Sequence, residues 1–211
     1  MIFKDRADGG QQLAKFLTLY LGKQNTVVLG LPRGGVVTAH EVAHELKLPL
    51  DIIVPRKIGA PGNPEFAIGA VTEEGDIISM DLDRIGGDAD GLRRYIEREA
   101  RKERLEAVRR LREYRGERPK LDLTGKTAIL VDDGIATGLT MRAAIASARK
   151  KGAAKVIAAA PVIAADTLPM LQSETDAVVY VSAPELFGAV GAFYEEFGQV
   201  GDEEVVRMLN I

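Results

Sequence analysis

No cysteine occurs among the 211 residues of this chain. Disulfides, thiolate nucleophiles and cysteine-ligated zinc are therefore excluded. Histidine is almost as scarce: His40 and His44 are the only two. They stand four apart in HEVAH, a spacing that on a helix can grip a metal, with an acid placed as in zinc peptidases. The sequence offers no evident third ligand, so surface or packing histidines are the expectation. There is no apolar run of about eighteen residues or more, hence no expected membrane span, and the opening MIFKDRADGG lacks the apolar stretch of a secretory signal. A cytoplasmic protein is expected. Neither charge sign dominates: a net charge of −3 argues against general nucleic-acid affinity, while leaving room for a local basic face.

What is present suits a globular chain. Hydrophobic residues make up 46% and charged residues 28%, enough for one sizeable core at this length. Apolar runs at Val27–Leu29, Asp51–Val54, Ala128–Val131, Lys155–Val162 and Ala177–Val181 read as strands. Helical patterns lie between them, at Val36–Leu46, from Thr140 to about Lys151 and at Thr167–Leu171, and a first amphipathic helix is expected over Gly9–Gly22. Such alternation predicts an α/β fold with a parallel twisted sheet flanked by helices. Phe66–Val71 and Asp76–Met80 are two further expected strands, joined by a turn, and the preceding RKIGAPGNPEF, dense in proline and glycine, is expected to be a long loop.

The segment 81–119 differs in composition and is expected to be a charged helical insertion within a single domain spanning 1–211. Between Leu92 and Arg118 it carries eleven Lys/Arg against six Asp/Glu, with Leu92, Ile96, Leu105, Val108 and Leu111 on an approximate stripe. One long helix or a bent pair fits, laid over the sheet or projecting from it. A solvated helix with a narrow apolar seam is the plain reading; a dimerisation arm or a surface for an anionic partner is the functional one.

Residues Ile129–Thr140, ILVDDGIATGLT, are the most informative stretch. An apolar strand ends in Asp132 and Asp133, where open α/β sheets bind their ligands. Ala136, Thr137, Gly138, Leu139 and Thr140 then lead into a helix, with a hydroxyl residue at the expected N-cap. Small residues let backbone amides close around an anion, and the helix N-terminus adds partial positive charge. The loop is a phosphate cradle. The acids would repel a second phosphate, so they suit sugar hydroxyls or a Mg²⁺ held through water.

This stretch resembles the phosphoribosyl diphosphate (PRPP) signature of type I phosphoribosyltransferases: two apolar residues, two acids, two variable positions, a small residue, Thr, Gly, any residue, Thr. The resemblance implies that Asp132 and Asp133 meet the ribose hydroxyls and, through water, Mg²⁺, while Ala136–Thr140 hold the 5′-phosphate. Leu31-Pro32-Arg33-Gly34-Gly35 after the first strand is similar to the family's pyrophosphate loop, assigning that ligand to Arg33, Gly34 and Gly35. Arg56 and Lys57, at the end of the second strand, resemble the basic residues before the mobile catalytic loop, which makes Ile58–Phe66 an expected lid. The stretch from Pro184 to Phe197 looks like the C-terminal segment of purine-type members, with Phe187 as the base contact and Phe193 and Tyr194 behind it.

The implied activity is Mg²⁺-dependent transfer of ribose 5-phosphate from PRPP to a nitrogen nucleophile, a nucleobase in nucleotide salvage, with release of pyrophosphate. The expected partners are PRPP and a small-molecule acceptor, without nucleic acid or membrane, and a homodimer is compatible with the pattern. The rival expectation is a non-catalytic sensor of PRPP or nucleotides that binds nucleic acid or protein through the basic insertion. A phosphatase-like hydrolase is a lesser alternative, for which the sequence supplies no convincing nucleophile.

Overall fold

Successive residues of each buried strand point to opposite sides of one sheet, and that alternation sorts the core into two layers. The computed structural model describes residues 1–82 and 88–210, apart from the side chain of Glu65. In chain order its elements are α1 (Arg6–Ala14), β1 (Thr26–Gly30), α2 (Gly34–Leu46), β2 (Leu50–Ile52), β3 (Arg56–Ala60), β4 (Asn63–Val71) and β5 (Ile77–Ser79). There follow α3 (Ala89–Arg115), β6 (Thr127–Val131), α4 (Leu139–Lys150), β7 (Lys155–Val162), α5 (Leu168–Glu174), β8 (Ala177–Ser182) and α6 (Asp202–Leu209).

Five strands pair in parallel in the order β2-β1-β6-β7-β8, with Val28 opposite both Leu50 and Ile129, and Ile129 opposite Ile157. On one side Val27, Leu29, Ala128, Leu130, Val156 and Ala158 meet Met141, Ala144, Ile145 and Ala148 of α4. On the other, Val28, Ile129, Val131 and Ile157 meet Leu13 of α1 and Ala39, Val42, Ala43 and Leu46 of α2. Burying each larger side chain contributes about 1.5–3 kcal/mol, so two-sided burial is what holds the short strands in place. From β1 the chain crosses by α2 to β2; from β6 it crosses by α4 to β7, in the opposite lateral direction and on the other face. The carboxyl ends of β1 and β6 therefore flank the switch point of the sheet, where a crevice opens.

Strands β3, β4 and β5 form a second, antiparallel sheet, with Arg56 opposite Val71 and Lys57 opposite Ala70. The long loop expected over RKIGAPGNPEF is thus corrected to a hairpin. Its proline and glycine mark the tight turn at Pro61-Gly62 and an irregular register near Gly59, which accommodates Pro64 inside a strand. Ala67 and Ala70 of the hairpin rest on Leu139 and Ala143 of α4.

Helix α3 is one continuous helix of 27 residues, capped at Asp88, whose side chain accepts from the Gly91 amide at 2.8 Å. It lies over the molecule rather than projecting. Ile96 and Ala100 pack on Ile58, Ile68 and Val71, while Ala107 and Tyr114 pack on Val36, Ile52, Val205 and Leu209. The seam differs from the expected stripe at Leu105, which is 72% exposed. Nine residues separate it from Ile96, which turns it about half a revolution away. Residues 83–87 of the expected insertion lie outside the described residues.

Two helix boundaries also differ. The first helix starts earlier, capped by Asp5, and ends at Ala14; i to i+3 bonds such as Phe16 N to Leu13 O tighten the chain beyond it, and a short 3-10 turn covers Thr18–Tyr20. Helix α4 has Gly138 at its N-cap and no side-chain cap, so Thr140 is a first-turn residue and not the expected cap. Among the described residues no helix is long and apolar enough to cross a membrane.

Candidate active site

Asp132 and Asp133 follow β6 directly and face the loop after β1. The Asp133 amide donates to Asp132 Oδ1 at 2.9 Å, and the Asp132 amide donates to the Ala159 carbonyl at 3.2 Å, which locks the pair to the sheet end. Asp132 keeps partial solvent contact. Burial, and next the neighbouring Asp133 carboxylate, push its carboxyl well above the usual carboxylate range, while the Asp133 amide and the Lys57 ammonium oppose that shift.

The expected pyrophosphate loop closes against these acids. A Cβ built on Gly34 would collide with Asp133 Oδ2, and one on Gly35 would stand 2.7 Å from Asp132 Oδ1. Only glycine permits so close an approach. The peptide bond between Pro32 and Arg33 is cis. Arg33 lies 3.8 Å from Asp202 of α6, and the Tyr114 hydroxyl of α3 donates to the same carboxylate.

Ala136–Thr140 wrap the start of α4. Gly138 adopts a left-handed φ of 76° at the N-cap, a conformation that glycine reaches without strain, and the first-turn amides are without helical partners. Thr167 donates its hydroxyl to the Ala136 carbonyl and so braces the loop from behind. The two loops follow the carboxyl ends of β1 and β6, one on each side of the sheet's switch point.

Arg56 and Lys57 do not act as a pair, because neighbouring residues of β3 point to opposite faces. Arg56 Nε donates to Glu103 of α3 at 2.8 Å, away from the acids. Lys57 is exposed on the other face, close enough for its charge to favour ionised Asp132. Phe187 packs on Phe193 with ring centroids 5.0 Å apart, beside Phe3, Val162 and Tyr194. Val190 of the same segment lies over Gly134, which follows the two acids in the chain.

Several contacts have no signal in the local sequence. Arg6 Nε lies 2.6 Å from Asp133 Oδ2, with side chains only 12% and 14% exposed. The Tyr194 hydroxyl donates to the Asp133 carbonyl, and burial pushes its phenol up, so it stays a neutral donor. Both come from segments far from Asp133 in the chain, 127 and 61 residues away.

A metal ion on these residues would find a sparse donor set. Among the described residues no three His, Cys, Asp or Glu side chains cluster to hold one. Asp133 already has a guanidinium partner, which leaves Asp132 as the acid best suited to hold Mg²⁺ through water, with substrate oxygens completing the shell. His40 is paired with Glu41 at 3.4 Å and His44 is mostly exposed on α2.

A parallel five-strand sheet flanked by helices, with two glycine-containing loops and two acids at its switch point, has the type I phosphoribosyltransferase fold. The family model described as the phosphoribosyl transferase domain matches residues 2–189, and the chain belongs to that family. A Mycobacterium tuberculosis protein named "Putative phosphoribosyl transferase" is 44% identical over 210 residues, covering 99% of this chain and 46% of that protein. This chain therefore spans about half the length of the curated relatives it matches. The crystal structure of TT1426 from Thermus thermophilus superposes with a TM-score of 0.79 at 44% identity, covering 99% of this chain and 98% of that one.

Proposed function

We propose that this chain is a phosphoribosyltransferase that moves the ribose 5-phosphate group of PRPP to a nitrogen nucleophile, a nucleobase in nucleotide salvage, and releases pyrophosphate in the cytoplasm. The observation that carries the reading is the close approach of Gly34 and Gly35 to Asp133 and Asp132, beside the Ala136–Thr140 loop at the start of α4, which supports two anion sites flanking the acids. PRPP needs such a layout: a 5′-phosphate at one end, a diphosphate at the other and two hydroxyls between.

As the bond between C1 and the diphosphate oxygen breaks, its electrons leave with the diphosphate, and positive charge grows on the ribose ring. The acceptor nitrogen then forms the new bond to C1 and gives up its proton to the departing diphosphate or to water. Catalysis is therefore positioning plus stabilisation of separating charge, and no nucleophile is asked of the protein. Asp132 and Asp133 orient the ribose; the amides of Ala136–Thr140 anchor the 5′-phosphate. Arg33, Gly34, Gly35 and Lys57 hold the diphosphate. Arg56, tied to Glu103, fixes the strand that presents Lys57. Mg²⁺, when bound, neutralises diphosphate charge beside Asp132. Phe187 lines the acceptor end on this reading.

The regulator alternative finds part of the positive charge of α3 already paired within the helix. Arg109 pairs with Glu106 and Glu113, and Arg110 with Glu106, which reduces the free positive charge of that helix. The deciding experiment is a screen of purines, pyrimidines and their analogues for PRPP-dependent pyrophosphate release. Activity with at least one base, abolished by combining Asp132→Asn with Asp133→Asn, is expected; an active double variant rules the mechanism out.

A further inference from the structure

We infer that Arg6 is a built-in cation for Asp133: its guanidinium takes the place of a metal ion on that carboxylate and forms a wall of the diphosphate subsite. The inference rests on the reading that the crevice takes PRPP, and it assigns to the N-terminal helix a role that the signature loops do not contain.

Arg6 is held on several sides. Nε meets Asp133 Oδ2 at 2.6 Å, one terminal nitrogen donates to the Gly198 carbonyl at 2.8 Å, and the guanidinium carbon lies 3.7 Å above the Phe197 ring. Its backbone carbonyl accepts from the Thr38 hydroxyl of α2 at 3.4 Å. The Asp5 cap fixes the start of α1 at the residue before it. So ordered a guanidinium loses little freedom when it meets a ligand.

Its position matters as much as its order. A Cβ on Gly34 would stand 2.7 Å from Arg6 Nε, so the guanidinium lies where the diphosphate loop and the second acid meet. The second terminal nitrogen makes no hydrogen bond among the described residues, which leaves donors for a substrate oxygen. A Mg²⁺ bound to the same carboxylate oxygen, at about 2.0–2.1 Å, would crowd a cation already there.

Calorimetric titration of PRPP into the full chain, with Mg²⁺ and with chelator, tests the inference, together with Mn²⁺ binding followed by electron paramagnetic resonance. Arg6→Gln is expected to weaken PRPP binding in chelator by about 10- to 100-fold, the loss of a charge-assisted hydrogen bond to an anion. Arg6→Lys should recover part of it. Asp133→Asn alone should leave Mn²⁺ binding unchanged, whereas Arg6→Gln should gain a Mn²⁺ site that Asp133→Asn then removes. Equal PRPP affinity in wild type and Arg6→Gln overturns the inference, and so does Mn²⁺ binding that falls in Asp133→Asn with Arg6 intact. The last comparison does not depend on the stability of any Arg6 variant. A wild-type chain that binds no PRPP in either condition overturns the phosphoribosyltransferase reading itself and the diphosphate role with it.

Discussion

Gly35 and Asp132 touch across the sheet's switch point. A Cβ on Gly35 would lie 2.7 Å from Asp132 Oδ1, 2.9 Å from its Cα and 3.0 Å from the Val131 carbonyl oxygen. Two of those neighbours are backbone, so the clash cannot be relieved by a side-chain rotation alone. Gly35→Ala must shift either the start of α2 or the end of β6. Displacing a positioning group by about 1 Å can cost on the order of 100-fold, and a loss of that size in kcat/KM for PRPP is expected. Steady-state kinetics at wild-type level would mean that the contact has no catalytic weight.

Lys57 and Arg56 should part company under mutation. Lys57→Ala removes a cation whose value rises as the diphosphate takes on charge, so kcat and kcat/KM should fall together, by about 10²–10³-fold. Arg56→Ala breaks a half-exposed ion pair with Glu103 and should act mainly on stability, by about 1 kcal/mol or less. Kinetics paired with thermal melts on both variants would separate the roles, and the reverse ranking would reverse the assignment of faces.

Asp132 is kept where its charge is unwelcome in the free protein. Burial and the Asp133 carboxylate both favour its neutral form, so its ionised state works against folding at neutral pH. Asp132→Asn retains an oxygen that can accept the Asp133 amide while removing the charge. In the metal-free, chelator-treated protein the melting temperature should rise, at about 2–4 °C per kcal/mol for a chain of this size, while PRPP turnover collapses. A fall in Tm would show that the carboxylate is stabilising after all.

Helix α3 is tied down by Arg115, whose Nε and a terminal nitrogen reach both oxygens of Asp51 at 2.8 and 2.9 Å, with side chains 10% and 14% exposed. Arg115→Ala strands a carboxylate within β2 and should destabilise the fold by about 3 kcal/mol. Arg109→Ala, on the solvated face of the same helix, should leave the melting temperature unchanged within error. Equal effects in denaturant titrations would contradict the view of α3 as a brace with a narrow seam.

The signature loops are legible in the sequence because their chemistry is local. A strand that ends in two acids and a small-residue turn before a helix needs only neighbours in sequence, and Gly34 and Gly35 do meet Asp133 and Asp132 in the folded chain. The hairpin is not legible, because Pro61, Gly62 and Pro64 read as loop residues until strand pairing absorbs Pro64 in an irregular register. Nor is the split between Arg56 and Lys57, since a strand's alternation becomes visible only once the strand is known to exist.

Periodicity, strand-end acids and loop composition thus point to a parallel α/β fold and to the ligand class proposed for it, since each follows from forces acting within a few residues. Which side chain faces which partner is another matter. Arg6 reaches Asp133 across 127 residues of chain, and Tyr194 reaches it across 61, through contacts that no spacing in the sequence encodes. They exist because burying two apolar layers on one sheet brings both ends of the chain to the same crevice, where a carboxylate gains more from a held guanidinium than from water.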